Sequence, residues 1–154
     1  MKVLLLSIKP EYANKILDGE KSIEFRRVRP NVEAGDLCLI YASGAQRALI
    51  GAFEVGGVVE TSAPNMWRKW GKHAGADRAT FMNYFDGSKS AYGILIRNSE
   101  RLKKEIPLVS LRKLFTGFRP PQSFRYLSTE QVDHRTLLRR VFCDLDGRLP
   151  HPVL

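Results

Sequence analysis

Residues 19–27 read Gly-Glu-Lys-Ser-Ile-Glu-Phe-Arg-Arg, and the chain changes its hydrophobic period within them. Upstream, Ala13, Ile16 and Leu17 recur at helical spacing, Pro10 suits a first helical turn, and Gly19 can take the left-handed geometry that ends a helix. From Lys21 onward, Ile23 and Phe25 alternate with Ser22, Glu24 and Arg26. A period of two predicts a strand with two apolar side chains on its core face and a hydroxyl, a carboxylate and a guanidinium on the other. Such a polar face can hold an anion or the polar edge of a base.

Outward from this switch, the pattern predicts a strand at 2–8, a helix at 10–18, and strands at 21–28, 37–42 and 48–60. Helical spacing returns within 64–86, followed by a strand at 90–98, a shorter one near 102–106, and helices at 109–115 and 128–141. Gly56-Gly57 interrupts the fourth strand, and glycine inside a strand marks a bulge or bend of the kind that lets a small sheet close. Between 63 and 88, Trp67, Trp70, Phe81, Met82, Tyr84 and Phe85 lie at mixed helical spacings. A short helical pair must bury a large apolar face to stay ordered, so these aromatics read as packing. The expected organisation is one α+β domain over 1–154, with a helical insertion at 63–88 and a helical C-terminal extension at 108–154.

With 154 residues, 44% of them hydrophobic and 27% charged, the chain can bury about two-thirds of its unfolded surface around one core. Its longest apolar runs, Val3 to Leu6 and Leu37 to Tyr41, are strand length, so no membrane span is expected. Cys38 and Cys143 lie far apart; Cys38, inside an apolar run, reads as a buried reduced thiol, and a cytoplasmic location follows as the default. His73, His134 and His151 are isolated, and no phosphate-binding glycine loop, nucleophile elbow or dinucleotide fingerprint occurs. Neither a metal nor an organic cofactor is therefore expected. The net charge of +9 favours polyanions. It is uneven: residues 30–96 hold six Lys/Arg against six Asp/Glu, whereas residues 97–148 hold twelve against six. A fold that joins the two ends of the chain builds a positive face for phosphates.

Gly19, Lys21, Glu24 and Arg26 meet the pattern Gly-x-Lys-x-x-Glu-x-Arg, preceded by Ser7-Ile8-Lys9-Pro10 and the helical stretch Tyr12 to Leu17. Gly35-Asp36 before the run Leu37 to Tyr41, and Pro120-Pro121-Gln122-Ser123-Phe124-Arg125-Tyr126, add to the likeness. In these features the chain resembles the ASCH family of the PUA-like superfold. The resemblance implies a PUA-like mixed β-barrel with flanking helices that binds RNA, single-stranded, or a nucleotide. It also implies a site in which Lys9, Lys21 and Arg26 ring the Glu24 carboxylate. In that architecture the end of the third strand lies close by, so Tyr41 can stack on a base and Ser43 can bond a phosphate or sugar. The rigid diproline can present Gln122 and Arg125 to a partner; equally, Phe124 and Tyr126 can pin the tail while Arg125 satisfies carbonyls. Arg139-Arg140 adds positive field rather than readout.

Two catalytic alternatives follow from the resemblance. Some relatives are amidohydrolases on acetylated cytidine, with the signature lysine as base and a threonine three residues later as nucleophile; here that position is Glu24, and Ser22 should point to the opposite face from Lys21. Others are proposed ribonucleases, which need an acid, a base and cations around a 2′-hydroxyl, parts that Lys21, Glu24, Tyr41 and Arg26 can supply. A regulator working through protein contacts or a small nucleotide is the third class.

Overall fold

The computed structural model describes residues 1–154. Six strands form one mixed sheet: β1 (Val3–Ile8), β2 (Ile23–Arg26), β3 (Leu37–Ala42), β4 (Ala48–Thr61), β5 (Ala91–Pro107) and β6 (Phe124–Leu127), in the order β2-β5-β4-β3-β1-β6. The helices are α1 (Pro10–Leu17), α2 (Ala63–Trp70), α3 (Arg78–Tyr84), α4 (Leu108–Leu114) and α5 (Val132–Cys143). The architecture is α+β, a curled PUA-like half-barrel with flanking helices.

β1 and β3 run parallel with Leu5 opposite Leu39, and apart from Ser7 both are apolar without alternation because both of their faces are covered. Val3, Leu5, Leu37 and Leu39 pack with Leu111 of α4 and Leu137, Leu138 and Val141 of α5. On the other face, Leu4, Leu6, Cys38 and Ile40 pack with Ala13 and Ile16 of α1 and Phe53 of β4. Each large side chain buried this way stabilises the fold by about 1.5–3 kcal/mol. A third cluster seats Met66, Phe81 and Phe85 on Ile23 and Phe25 of β2, with Phe25 and Phe81 edge to face at 4.8 Å.

Gly19 ends α1 with φ +81°, as its position predicts. The expected bend at Gly56-Gly57 is a register shift between Val55 and Gly57 against β5, with Gly57 at φ +137°. Three details differ from the sequence expectation. The strands expected at 90–98 and near 102–106 are one strand of 17 residues, whose break in pattern is an irregularity around Asn98 at φ +50°. Residues 124–127, not among the expected strands, form β6 and pair antiparallel with β1. Finally, β2 was expected to bury one face, yet Ile23, Glu24, Phe25 and Arg26 are all buried.

That last difference follows from how the sheet curls. β2 and β6 are its two edges, and no backbone ladder joins them. Arg26 spans the gap instead: Nη2 donates to the Ser7 carbonyl on β1 at 3.1 Å, and Nη1 donates to the Ser123 hydroxyl at 3.1 Å and its carbonyl at 3.3 Å. Segment 120–123 is tied down in turn, as the Ser7 amide donates to Ser123 O at 3.0 Å and the Ser7 hydroxyl to Pro121 O at 2.6 Å.

Candidate functional site

α1, β2, α3 and the 120–123 strap enclose an open cavity of about 830 Å³. Lys21 enters its wall from the turn after α1, which is closed by bonds from the Glu20 and Lys21 amides to Lys15 O. Its ammonium donates to Ala74 O at 2.8 Å, lies 3.5 Å from Glu24 Oε1, and faces the Phe25 ring at 4.9 Å and the Tyr12 ring at 5.6 Å. Glu24 Oε2 accepts from Arg26 Nη2 at 2.8 Å, so one carboxylate bridges two cations. All three side chains are buried.

Burial drives the Lys21 amine below its ordinary range, and the Glu24 carboxylate offsets part of that shift. The Tyr12 phenol moves the other way, raised by burial and then by Glu11. In both groups burial favours the neutral form, an amine that can accept a proton and a phenol that can give one. Arg26 is a different kind of residue. Both terminal nitrogens bond within the protein, and Nε is buried without a partner. Its guanidinium holds the wall together rather than reaching out to a ligand.

Of the eight residues singled out in the sequence, Lys9, Lys21, Glu24, Arg26, Ser43 and Gln122 line this cavity. Tyr41 and Arg125 do not. Tyr41 is 2% exposed, packed with Leu37 and Leu39 in the α4/α5 core and 6.4 Å from the Phe118 ring, so it offers no stacking face. The reason is the strand period: residues 37, 39 and 41 share one face, and that face is the core. Burial raises its phenol, with Arg47 opposing. Arg125 lies over the Phe115 ring at 5.2 Å and 3.5 Å from His134 Nε2, a packing role on the far side of β6. Ser43 reaches the cavity, but its hydroxyl donates to Ile8 O at 3.2 Å. Ser22 is exposed and does not line the cavity, so no hydroxyl nucleophile stands beside Lys21 at that position.

Sequence reasoning missed Tyr12, Thr80, Asn83 and Tyr84 as cavity residues. Tyr12 had a local signal, since it sits on α1 off the buried Ala13 and Ile16 stripe and beside Lys9-Pro10. The α3 residues had none. Their approach to β2 depends on long-range packing, seen in the Tyr84 hydroxyl donating to Phe25 O at 3.3 Å.

Comparison with known proteins matches this geometry to a family. The ASCH domain pattern matches residues 6–113. The ASCH domain-containing ribonuclease of Zymomonas mobilis is 29% identical over 131 residues, covering 85% of this chain and 88% of that protein. The crystal structure of ASCH from Zymomonas mobilis superposes with a TM-score of 0.82 at 28% identity, over 90% of this chain and 94% of the other. Human THYN1 protein, solved in complex with 5-methylcytosine-containing DNA, shares the fold at TM-score 0.54 and 15% identity, over 90% and 97% of the two chains. The chain belongs to the ASCH domain family.

Proposed function

We propose that the cavity receives one nucleotide of single-stranded RNA and that the domain is a metal-independent ribonuclease. The observation that carries this reading is the buried Lys21 amine in the cavity wall, held by Ala74 O and the Glu24 carboxylate and 5.6 Å from the Tyr12 ring, with burial pushing it below its ordinary range. The similarity to a ribonuclease along most of both chains supports the choice of substrate.

In the proposed step, neutral Lys21 takes the proton of the 2′-hydroxyl as that oxygen attacks the adjacent phosphorus. The bond from phosphorus to the 5′-oxygen breaks, and the Tyr12 hydroxyl protonates the leaving oxygen. The products are a 2′,3′-cyclic phosphate and a 5′-hydroxyl end. The lysinium formed beside the phosphorane stabilises its charge in a water-poor wall, and Lys9, exposed at the mouth, adds field. Glu24 does not transfer a proton in this scheme; its two oxygens hold Lys21 and Arg26 in place.

Labelled single-stranded RNA incubated with the protein in chelator tests the reading. Shortened product ending in a cyclic phosphate, absent with Lys21→Met, is the expected result. Retention without cleavage would overturn the enzymatic half and leave an RNA-binding module; neither retention nor cleavage would overturn both.

A further inference from the structure

The polar groups of the cavity wall divide by whether the protein already uses them. Ser7, Ser43, Ser123 and Tyr84 all bond inside the fold, as do Glu24 and Arg26. Thr80 folds back on Asp77, whose carboxylate accepts from its amide at 2.8 Å. The two carboxamides on this wall form no hydrogen bond with the protein: Asn83 near the end of α3, and Gln122 in the strap. Both are exposed.

A carboxamide has a donor beside an acceptor, in one plane. A phosphate oxygen can use only the donor. A base edge, where an exocyclic group adjoins a ring nitrogen, uses both at once, and this is why Asn and Gln read bases bidentately. The neighbouring groups suit the rest of a nucleotide: Tyr12 and Tyr84 offer aromatic surface, and Lys9 offers a cation. We propose that Asn83 and Gln122 read the base edge of the nucleotide in the cavity and so set the base preference of the domain. This rests on the RNA-binding reading above, and it assigns selectivity to side chains outside the signature strand. α3 and the strap can then change selectivity while Lys21 and Glu24 stay constant.

The test measures binding of labelled oligo(A), oligo(C) and oligo(U) by wild-type protein, Asn83→Ala, Gln122→Ala and the double variant. Both positions are surface amides, so the variants should fold, which their melting temperatures check. The expected result is that wild type ranks the three oligomers and that the double variant compresses the ranking by about tenfold or more, the discrimination one bidentate pair carries. The salt dependence of binding should not change, because no phosphate contact is removed. An unaltered ranking in the double variant, an equal loss for all three oligomers, or a wild-type protein that binds all three alike would each overturn the inference while leaving RNA binding intact. Failure of the wild-type protein to bind any oligomer would instead bring down the underlying reading, and this inference with it.

Discussion

Glu24 and Glu100 are both buried carboxylates, and their partners differ in kind. Glu100, on β5, accepts from the backbone amides of Asp146 at 2.9 Å and Arg148 at 3.0 Å, with the exposed Arg148 side chain 3.3 Å away. It pins the C-terminal turn to the sheet, satisfied mainly by main-chain dipoles. Glu24 meets the side chains of Lys21 and Arg26 and lies in a cavity wall. Backbone amides cannot titrate or leave, so a carboxylate held by them is a fastener. One held by two cations next to open space keeps an amine dry and poised. Burial and charge alone do not distinguish a site from a clamp; the partners do.

The sharpest way to break this contrast is Arg26→Ala. The change removes the bonds that bridge the open edges of the half-barrel and leaves Glu24 facing Lys21 alone. Losing one partner of a buried charged pair costs about 3–5 kcal/mol, which denaturant unfolding would read directly. Arg26→Lys should recover only part, since an ammonium cannot reproduce the forked geometry. A loss below about 1 kcal/mol would mean that the sheet curls without its latch.

Lys21→Met tests the other half. Cleavage of RNA should fall on the order of a hundredfold or more. In wild-type protein the rate should climb with pH through a midpoint below the ordinary lysine range, because a lowered amine is neutral, and so basic, at lower pH. The variant should lack that limb of the pH–rate profile.

Glu100→Gln sharpens the contrast from the structural side. The amide keeps one acceptor but turns a donor toward a backbone N–H, costing about 1–3 kcal/mol, or several degrees in melting temperature. Cleavage per folded molecule should not change. A loss of activity there would show that the C-terminal turn and the cavity are coupled.

The smallest expected effect concerns His134, buried and stacked on Phe115 at 5.1 Å. Its Nδ1 accepts from the Ser128 amide at 2.8 Å, with Arg125 facing the other nitrogen and Asp133 beside it on α5. Burial, then Arg125, lowers its folded value below the usual 6.5. Its contribution is therefore complete above about pH 6.5 and is lost as pH falls through the folded value. Melting temperature measured from pH 7 to pH 4 should drop more steeply in wild type than in His134→Leu; equal slopes would remove His134 from the acid response.

Much of the scaffold can be read locally. The helix from Pro10 to its stop at Gly19, the run Leu37–Ala42 and the bend at Gly56-Gly57 follow from side-chain period and backbone freedom, which short segments carry themselves. So does the pairing of Glu24 with Arg26 on one strand face, whereas Lys21, on the opposite face by that period, reaches Glu24 because it lies in the turn before β2 begins at Ile23. What a short segment does not carry is which surface its faces meet. Tyr41 looked like a base-stacking aromatic at a strand end until α4 and α5 covered the face it shares with Leu37 and Leu39. Arg26 looked like a ligand contact until the curl brought β2 within reach of Ser7 and Ser123, 97 residues farther along for the latter. Asn83 gained a place in the cavity only because Phe81 and Phe85 dock on Phe25. Local sequence determined the elements and the charges of the signature strand, since both depend on neighbours in the chain. Tertiary structure alone decided which of those charges latch the fold and which face open space, because that depends on packing between segments far apart in sequence.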